Sequence, residues 1–227
     1  MRVQQLSDLN ERIMACRQCR RLVSWREEVA RIKVKRYVGD PYWGRPVPGF
    51  GDPSADIVVV GLAPAAHGAN RTGRMFTGDS SGDWLIEALY RNGLANQSQS
   101  RSVDDGLQLF NTYVTAAVRC APPENKPRPE EGRACAPFLA EEFQIFRPKV
   151  MVALGRFAFD AVKRALKAQG NDVSPWTFAH GSRHQLPRGL LLMASYHPSR
   201  QNTQTGKLTR DMLDVIFADA RRQAESG

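Results

Sequence analysis

The chain has 227 residues, 42% of them hydrophobic, and its 32 lysines and arginines outnumber 23 acidic residues to leave a formal charge of +9. That length and apolar content suit one α/β domain with elaborated loops, and they exclude a disordered chain. The longest apolar runs, such as LLLMA at 190–194, fall far short of a bilayer span, and MRVQQLSDLNERIM at the start lacks the apolar core of a secretory signal, so a soluble cytoplasmic protein is expected.

Taken in chain order, residues 7–31 are predicted to form one helix opening at Ser7. Basic residues crowd positions 17–37, where Glu27 and Glu28 are the only acids, and such an excess suits a polyanion partner. A solvated basic surface is the plain alternative; a membrane surface fits less well because the segment shows no clean amphipathic stripe. The Pro/Gly-rich stretch 39–56 ends the helical pattern. Four apolar strand candidates follow, IVVVG at 57–61, TYVTAAV at 112–118, VMVALG at 150–155 and LLLMASY at 190–196. Helical patterns separate or follow them: SGDWLIEALYRNG closed by Gly93, PEEGRACAPFLAEEFQIF, RFAFDAVKRALKAQG closed by Gly170, and TRDMLDVIFADARRQA. Short apolar strands alternating with helices predict a three-layer α/β/α fold around a mainly parallel four-stranded sheet, with ligands bound beyond the carboxyl ends of the strands. Residues 61–82, GLAPAAHGANRTGRMFTGDSSG, sit at such an end and read as an exposed, flexible, amide-rich loop.

The four cysteines fall into Cys16-x-x-Cys19 and the wider pair Cys120 and Cys135. Disulfides are disfavoured without an export signal, and a zinc ribbon normally carries two close-spaced pairs. Four thiolates with one wide spacing suit an iron–sulfur cluster; zinc and unliganded core cysteines stay open on the residues alone. Among the histidines, His197 follows the last strand in YHPSRQNTQTG, where Pro198 fixes the exit and the polar run after it has no core role. His67 reads as structural or solvent-exposed. GDSSG at 78–82 fits the G-x-S-x-G elbow of α/β-hydrolases with Ser80 as nucleophile, but that elbow must follow its strand directly. Ser80 or Ser81 capping the next helix is the simpler reading. Cys16-x-x-Cys19 lacks the upstream H-x-E of a zinc deaminase.

GLAPAAHG after the first strand, YHPS after the last, and the cysteine pattern together resemble the uracil-DNA glycosylase superfamily, specifically its iron–sulfur type B branch, often called family 5. PYWGRPVPGFGDP, NRTGRMFTGDSSG, VTAAVRCAPPENKP and SYHPSRQNTQTGKLT extend the resemblance from Cys16 to the last helix; one departure is Ala65, where the branch usually has glycine.

The resemblance implies a single domain over residues 1–227, acting as a monomer on DNA, with Cys16, Cys19, Cys120 and Cys135 holding a structural [4Fe-4S] cluster that ties in the N-terminal helix. It implies a pocket for an extruded base, lined by Gly61, Leu62, Ala63 and Phe76, with Phe76 stacking on the base. Ser199, Arg200 and Gln201 would meet the duplex and fill the gap left by the flipped nucleotide. Cleaving a glycosidic bond builds positive charge on the sugar and negative charge on the base, which calls for a donor at the base and an anion or polarised water at the sugar. His197 matches the donor. In the GQDPYH-type branch the water-positioning aspartate stands where this chain has Ala63, so the carboxylate is expected from Asp79, and Asn125 is expected to orient water or base, with loop capping as its alternative. Ala65 stands in place of the tyrosine that excludes thymine, and Ala116 in place of an edge-reading asparagine. The pocket is therefore expected to accept hypoxanthine and other deaminated bases beside uracil. Two alternatives are an esterase using Ser80 and a cluster-stapled DNA-binding module without catalysis.

Overall fold

The computed structural model describes residues 1–187 and 189–226. Its centre is four parallel strands: β2 (Ile57–Gly61), β3 (Thr112–Ala116), β4 (Val150–Leu154) and β6 (Leu191–Ser195), every residue of which is buried. Such continuous apolar runs can bury both faces, which is the condition for a parallel sheet. Two antiparallel edge strands, β1 (Phe50–Gly51) beside β3 and β5 (Arg183–Gln185) beside β6, complete the order β1-β3-β2-β4-β6-β5. The sheet thus has six strands where the sequence predicts four. Neither edge segment carries the apolar alternation that marks a half-buried strand.

The side-chain alternation of β2 divides the core in two. Ile57 and Val59 face one layer with Leu85, Ile86 and Leu89 of α4 (Ser80–Arg91) and Leu213, Ile216 and Phe217 of α8 (Arg210–Glu225). Val58 and Val60 face the other, with Leu139 and Phe143 of α5 (Pro129–Phe146) and Phe159, Val162 and Leu166 of α6 (Arg156–Ala168). This is the expected α/β/α architecture.

The N-terminal segment is two helices, not one: α1 (Arg2–Ala15) and α2 (Arg20–Ile32). Cys16 and Cys19 both adopt extended backbone at the break, although apolar periodicity continues on each side of it. α1 packs on α5 through Leu6, Leu9 and Ile13 and α2 buries Leu22, Val23 and Val29. Two short helices, α3 (Ala69–Thr72) and α7 (Arg200–Gln204), lie in the loops after β2 and β6. The chain runs from β2 to β3 on one side and then crosses to β4 on the other, so β2 sits at a topological switch point, where the carboxyl end of an open α/β sheet offers a crevice.

Candidate active site

The loop after β2 enters that crevice, and it is not the loose, unburied loop that its small-residue composition predicts. Ala69, Asn70, Arg74, Met75, Phe76 and Thr77 are all buried. Arg74 anchors the loop from beneath, pairing with Asp105 at 2.7 Å and donating to the Ser100 hydroxyl at 2.7 Å. Burial alone would raise the Asp105 carboxyl, but Arg74 and three backbone N–H donors hold it down to about 2. The start of the loop is tied to the exit of β3, with Ala117 N–H donating to Gly61 O at 2.9 Å and Val118 N–H to Leu62 O at 3.1 Å. Ala116 faces Gly61 in the ladder, so no side-chain amide stands there.

Gly61 is required by the ring of Phe76, which occupies the space a Cβ would need. Phe76 itself has φ 50°, a left-handed conformation that is rare and strained for an aromatic residue. The strain places its ring against the imidazole of His197, centroids 6.1 Å apart and planes within 28°. Three residues on, Asp79 is the N-cap of α4, its Oδ1 accepting from Gly82 N–H at 2.9 Å. The capping residue is therefore Asp79, not Ser80 or Ser81; Ser80 opens the helix, and GDSSG forms no strand-to-helix elbow. Burial raises the Asp79 carboxyl above the usual carboxylate range, against the pull of the Gly82 and Ser81 N–H groups and of Arg200. Gly68 lies against this carboxylate so closely that a Cβ there would clash with Oδ2.

His197 follows β6. Its carbonyl accepts from Asn202 Nδ2 at 2.8 Å, and a Cβ on Gly155, which has φ 89°, would press on its own Cβ at 3.2 Å. Burial pushes the imidazole down to about 4, so the ring is neutral at pH 7 and can donate only through one N–H. Neither Gly68 nor Asn202 is legible as a site residue from spacing alone. Ser199 caps α7, its Oγ accepting from Asn202 N–H at 3.4 Å, and Arg200 and Gln201 are exposed on that helix. Asn125 is exposed in a short turn with φ 56°, and no hydrogen bond joins its side chain to Asp79 or His197 among the described residues. His67 is half-buried, Nδ1 sharing a 2.9 Å hydrogen bond with the Tyr42 hydroxyl.

The four cysteines line one small pocket with Leu22. Cys120 and Cys135 are buried, Cys16 and Cys19 partly so, and Ala63 of the β2 loop packs against the group. Among the described residues no three Cys, His, Asp or Glu side chains gather as ligands of one ion. Arg26, 1% exposed, reaches one of these cysteines: its Nη1 donates to Cys120 Sγ at 2.9 Å, while among the described residues its Nε has no partner. Burial raises the free Cys120 thiol to about 12 and Cys135 to about 11.

Much of the basic excess at 17–37 is spent internally. Arg17 pairs with Glu27 at 2.5 Å, Arg31 with Glu28 at 2.7 Å and Arg21 with Glu131 at 2.8 Å, and Arg26 is buried. This stretch is less a free cationic patch than the sequence suggests.

A parallel sheet covered on both faces, with a carboxylate, an imidazole and a strained aromatic ring at its switch point, is the architecture of an α/β enzyme. Residues 48–221 match the family model described as the uracil DNA glycosylase superfamily. The chain is 53% identical over 213 residues to the Type-5 uracil-DNA glycosylase of Thermus thermophilus, covering 93% of this chain and 95% of that one. It is 51% identical over 221 residues to the Type-5 uracil-DNA glycosylase of Mycobacterium leprae, covering 96% of each. With the protein of that name from Mycobacterium bovis it shares 49% identity over 221 residues, 96% of this chain and 82% of the relative. The chain belongs to the uracil DNA glycosylase superfamily.

Proposed function

We infer that the protein is a monofunctional uracil-DNA glycosylase, which hydrolyses the bond between uracil and deoxyribose in DNA and leaves an abasic site. The observation that carries this reading is the strained Phe76, whose ring is held beside the neutral imidazole of His197 at the mouth of the β2 loop. A backbone strained in this way persists only where the surroundings over-determine it, and such strain gathers at functional sites.

Each residue then has a task. An extruded base stacks on Phe76, which offers a sequence-tolerant platform. As the glycosidic bond breaks, its electron pair leaves with the base, and the N–H of His197 meets the negative oxygen with backbone amides of the 61–65 loop beside it. Asp79, ionised, faces the positive sugar and takes the proton of the water whose oxygen bonds to the anomeric carbon. Arg200 and Gln201, exposed beyond His197, engage the duplex, and Ser199 orders them by capping α7. Asn125 orients water or base from its own turn. The enzyme acts as a monomer, in the cytoplasm with its DNA.

Cys16, Cys19, Cys120 and Cys135 hold a [4Fe-4S] cluster. A buried arginine needs an anionic partner, and among the described residues the Arg26 guanidinium meets only a cysteine sulfur and the Cys16 carbonyl, apart from a 3.6 Å approach to Glu27 at the surface. Thiolates of a cluster supply that negative charge. Four cysteines lining one pocket suit a cluster with all-cysteine ligation. Its chemistry here is structural: it joins the α1–α2 break to β3 and α5.

The pocket is permissive. Ala65 and Ala116 put no bulk and no bidentate amide at the base edge, so hypoxanthine and other deaminated bases are substrates beside uracil. The test is a panel of duplexes carrying uracil, hypoxanthine, xanthine or 5-hydroxymethyluracil. Cleavage of several supports the reading, and strict cleavage of uracil alone contradicts the permissive pocket.

A further inference from the structure

An open cleft of about 570 Å³ borders His197 and is lined by Leu62, Arg156, Phe178, Tyr196 and Lys207 among others. Phe76 does not line it, so it lies beside the stacking position of the flipped base, and the two share Leu62 and His197 as walls. We propose that this cleft is a second nucleotide subsite, which takes one unstacked nucleotide of the same DNA strand next to the flipped one. The identity of the strand rests on the glycosylase reading; the chemistry of the cleft stands on its own.

Two partly exposed aromatic rings form one wall: Phe178 and Tyr196, centroids 6.2 Å apart and tilted by 55°. Each carries a cation. The Arg156 guanidinium lies 5.3 Å from the Phe178 ring and the Lys207 ammonium 4.8 Å from the Tyr196 ring. Among the described residues neither cation has a carboxylate partner, whereas the chain pairs its buried arginines 74 and 119 with Asp105 and Glu142. Both Arg156 and Lys207 are exposed.

The Tyr196 ring is also fixed in advance. His180 stacks on it at 5.0 Å with planes within 21°, and its Nδ1 accepts the Tyr196 N–H at 3.2 Å. Fixed aromatic faces beside unpaired cations are the combination that binds single-stranded nucleic acid, bases on the rings and phosphates on the charges. An uncharged apolar ligand would leave both cations idle. Extruding one base weakens the stacking of its neighbour, and a nucleotide caught on Tyr196, one residue before His197, would keep the strand open beside the reacting sugar.

The experiment has two arms, both with the full chain. In the first, kcat/KM is measured for uracil in short oligonucleotides lengthened one nucleotide at a time on either side. Wild type is expected to gain about five- to hundredfold when the subsite nucleotide is added, the range for stacking one base. Tyr196→Leu should lose that gain with the shortest cleaved substrate little affected, and Tyr196→Phe should keep it. Absence of the gain in wild type, or its survival in Tyr196→Leu, overturns the proposal.

The second arm needs no cleavage. Binding of a uracil-free single strand is followed against salt for wild type and the doubly substituted Arg156→Gln, Lys207→Gln protein. Loss of two phosphate contacts should flatten the log–log slope by about 1.4; an unchanged slope overturns the proposal. Failure of the glycosylase reading shows separately, as no abasic product from any uracil substrate.

Discussion

The carboxylate of Asp79 fills the space that a Cβ on Gly68 would need. Eleven residues apart in sequence, the two are pressed together because the loop from β2 folds back on the N-terminus of α4. Gly68→Ala is therefore expected to displace the carboxylate, and a misplacement of about 1 Å can cost on the order of a hundredfold in rate. Steady-state kinetics should show the loss in kcat with KM for DNA nearly unchanged. A wild-type kcat in Gly68→Ala would mean that the position of Asp79 does not matter to the reaction.

Asp79 should also set the pH dependence. Its folded carboxyl titrates above the ordinary range because of burial, and the mechanism uses the ionised form. Activity is expected to rise with pH along an acid limb lying above about 4, the ordinary carboxylate value. A carboxyl raised in the folded state holds its proton longer than in the unfolded chain, so the native state loses stability as pH rises through the interval between the two values. Asp79→Asn keeps a good N-cap and removes the buried charge. It should lower cleavage by two or more orders of magnitude while raising Tm at pH 7, and the Tm gain should shrink toward pH 4. Calorimetry across that range checks it.

His197 and Asn202 should separate by degree. His197→Ala removes the donor to the leaving base, an effect of about a hundredfold or more. Asn202→Ala removes only the 2.8 Å bond to the His197 carbonyl, a loss of about 1 kcal/mol for a hydrogen bond of this kind. Roughly fivefold slower cleavage with unchanged DNA affinity is the expected result for Asn202→Ala. Equal defects in the two variants would show that the imidazole contributes no more than its backbone anchor.

How far the sequence could be read depended on whether a feature was local. The four parallel strands were legible because IVVVG, TYVTA, VMVAL and LLMAS are buried on both faces and need no partner to announce themselves. β1 and β5 were not, because FG and RHQ are strands only by virtue of the neighbour they pair with. The break at Cys16–Cys19 was hidden for a similar reason: the apolar repeat runs on through it, and only the extended backbone at both cysteines reveals two helices. Asp79 and His197 could be singled out by the motifs around them. The rigidity of their loop could not, since it depends on Arg74 reaching Asp105, thirty-one positions away. Gly68 and Arg26 likewise take their meaning from side chains distant in sequence.

The cysteine pocket yields the next expectation. Purified protein should be brown, with broad visible absorption, and should contain iron in preference to zinc. Cys16→Ala should lose the colour and stability more than it alters the chemical step. Arg26→Met should bleach faster under chelator or oxidant, because the buried cation that faces Cys120 is gone. Colourless, zinc-loaded and fully active protein would remove the cluster from the account.

The central claim is that Asp79 and His197 together excise uracil from DNA, and single-turnover cleavage of a duplex with one uracil, read as alkali-sensitive abasic sites, tests it most directly. Wild type should convert the strand fully, with both Asp79→Asn and His197→Ala slowed by two or more orders of magnitude at nearly unchanged DNA affinity. No abasic product from wild type, or cleavage by Asp79→Asn at the wild-type rate, would contradict it.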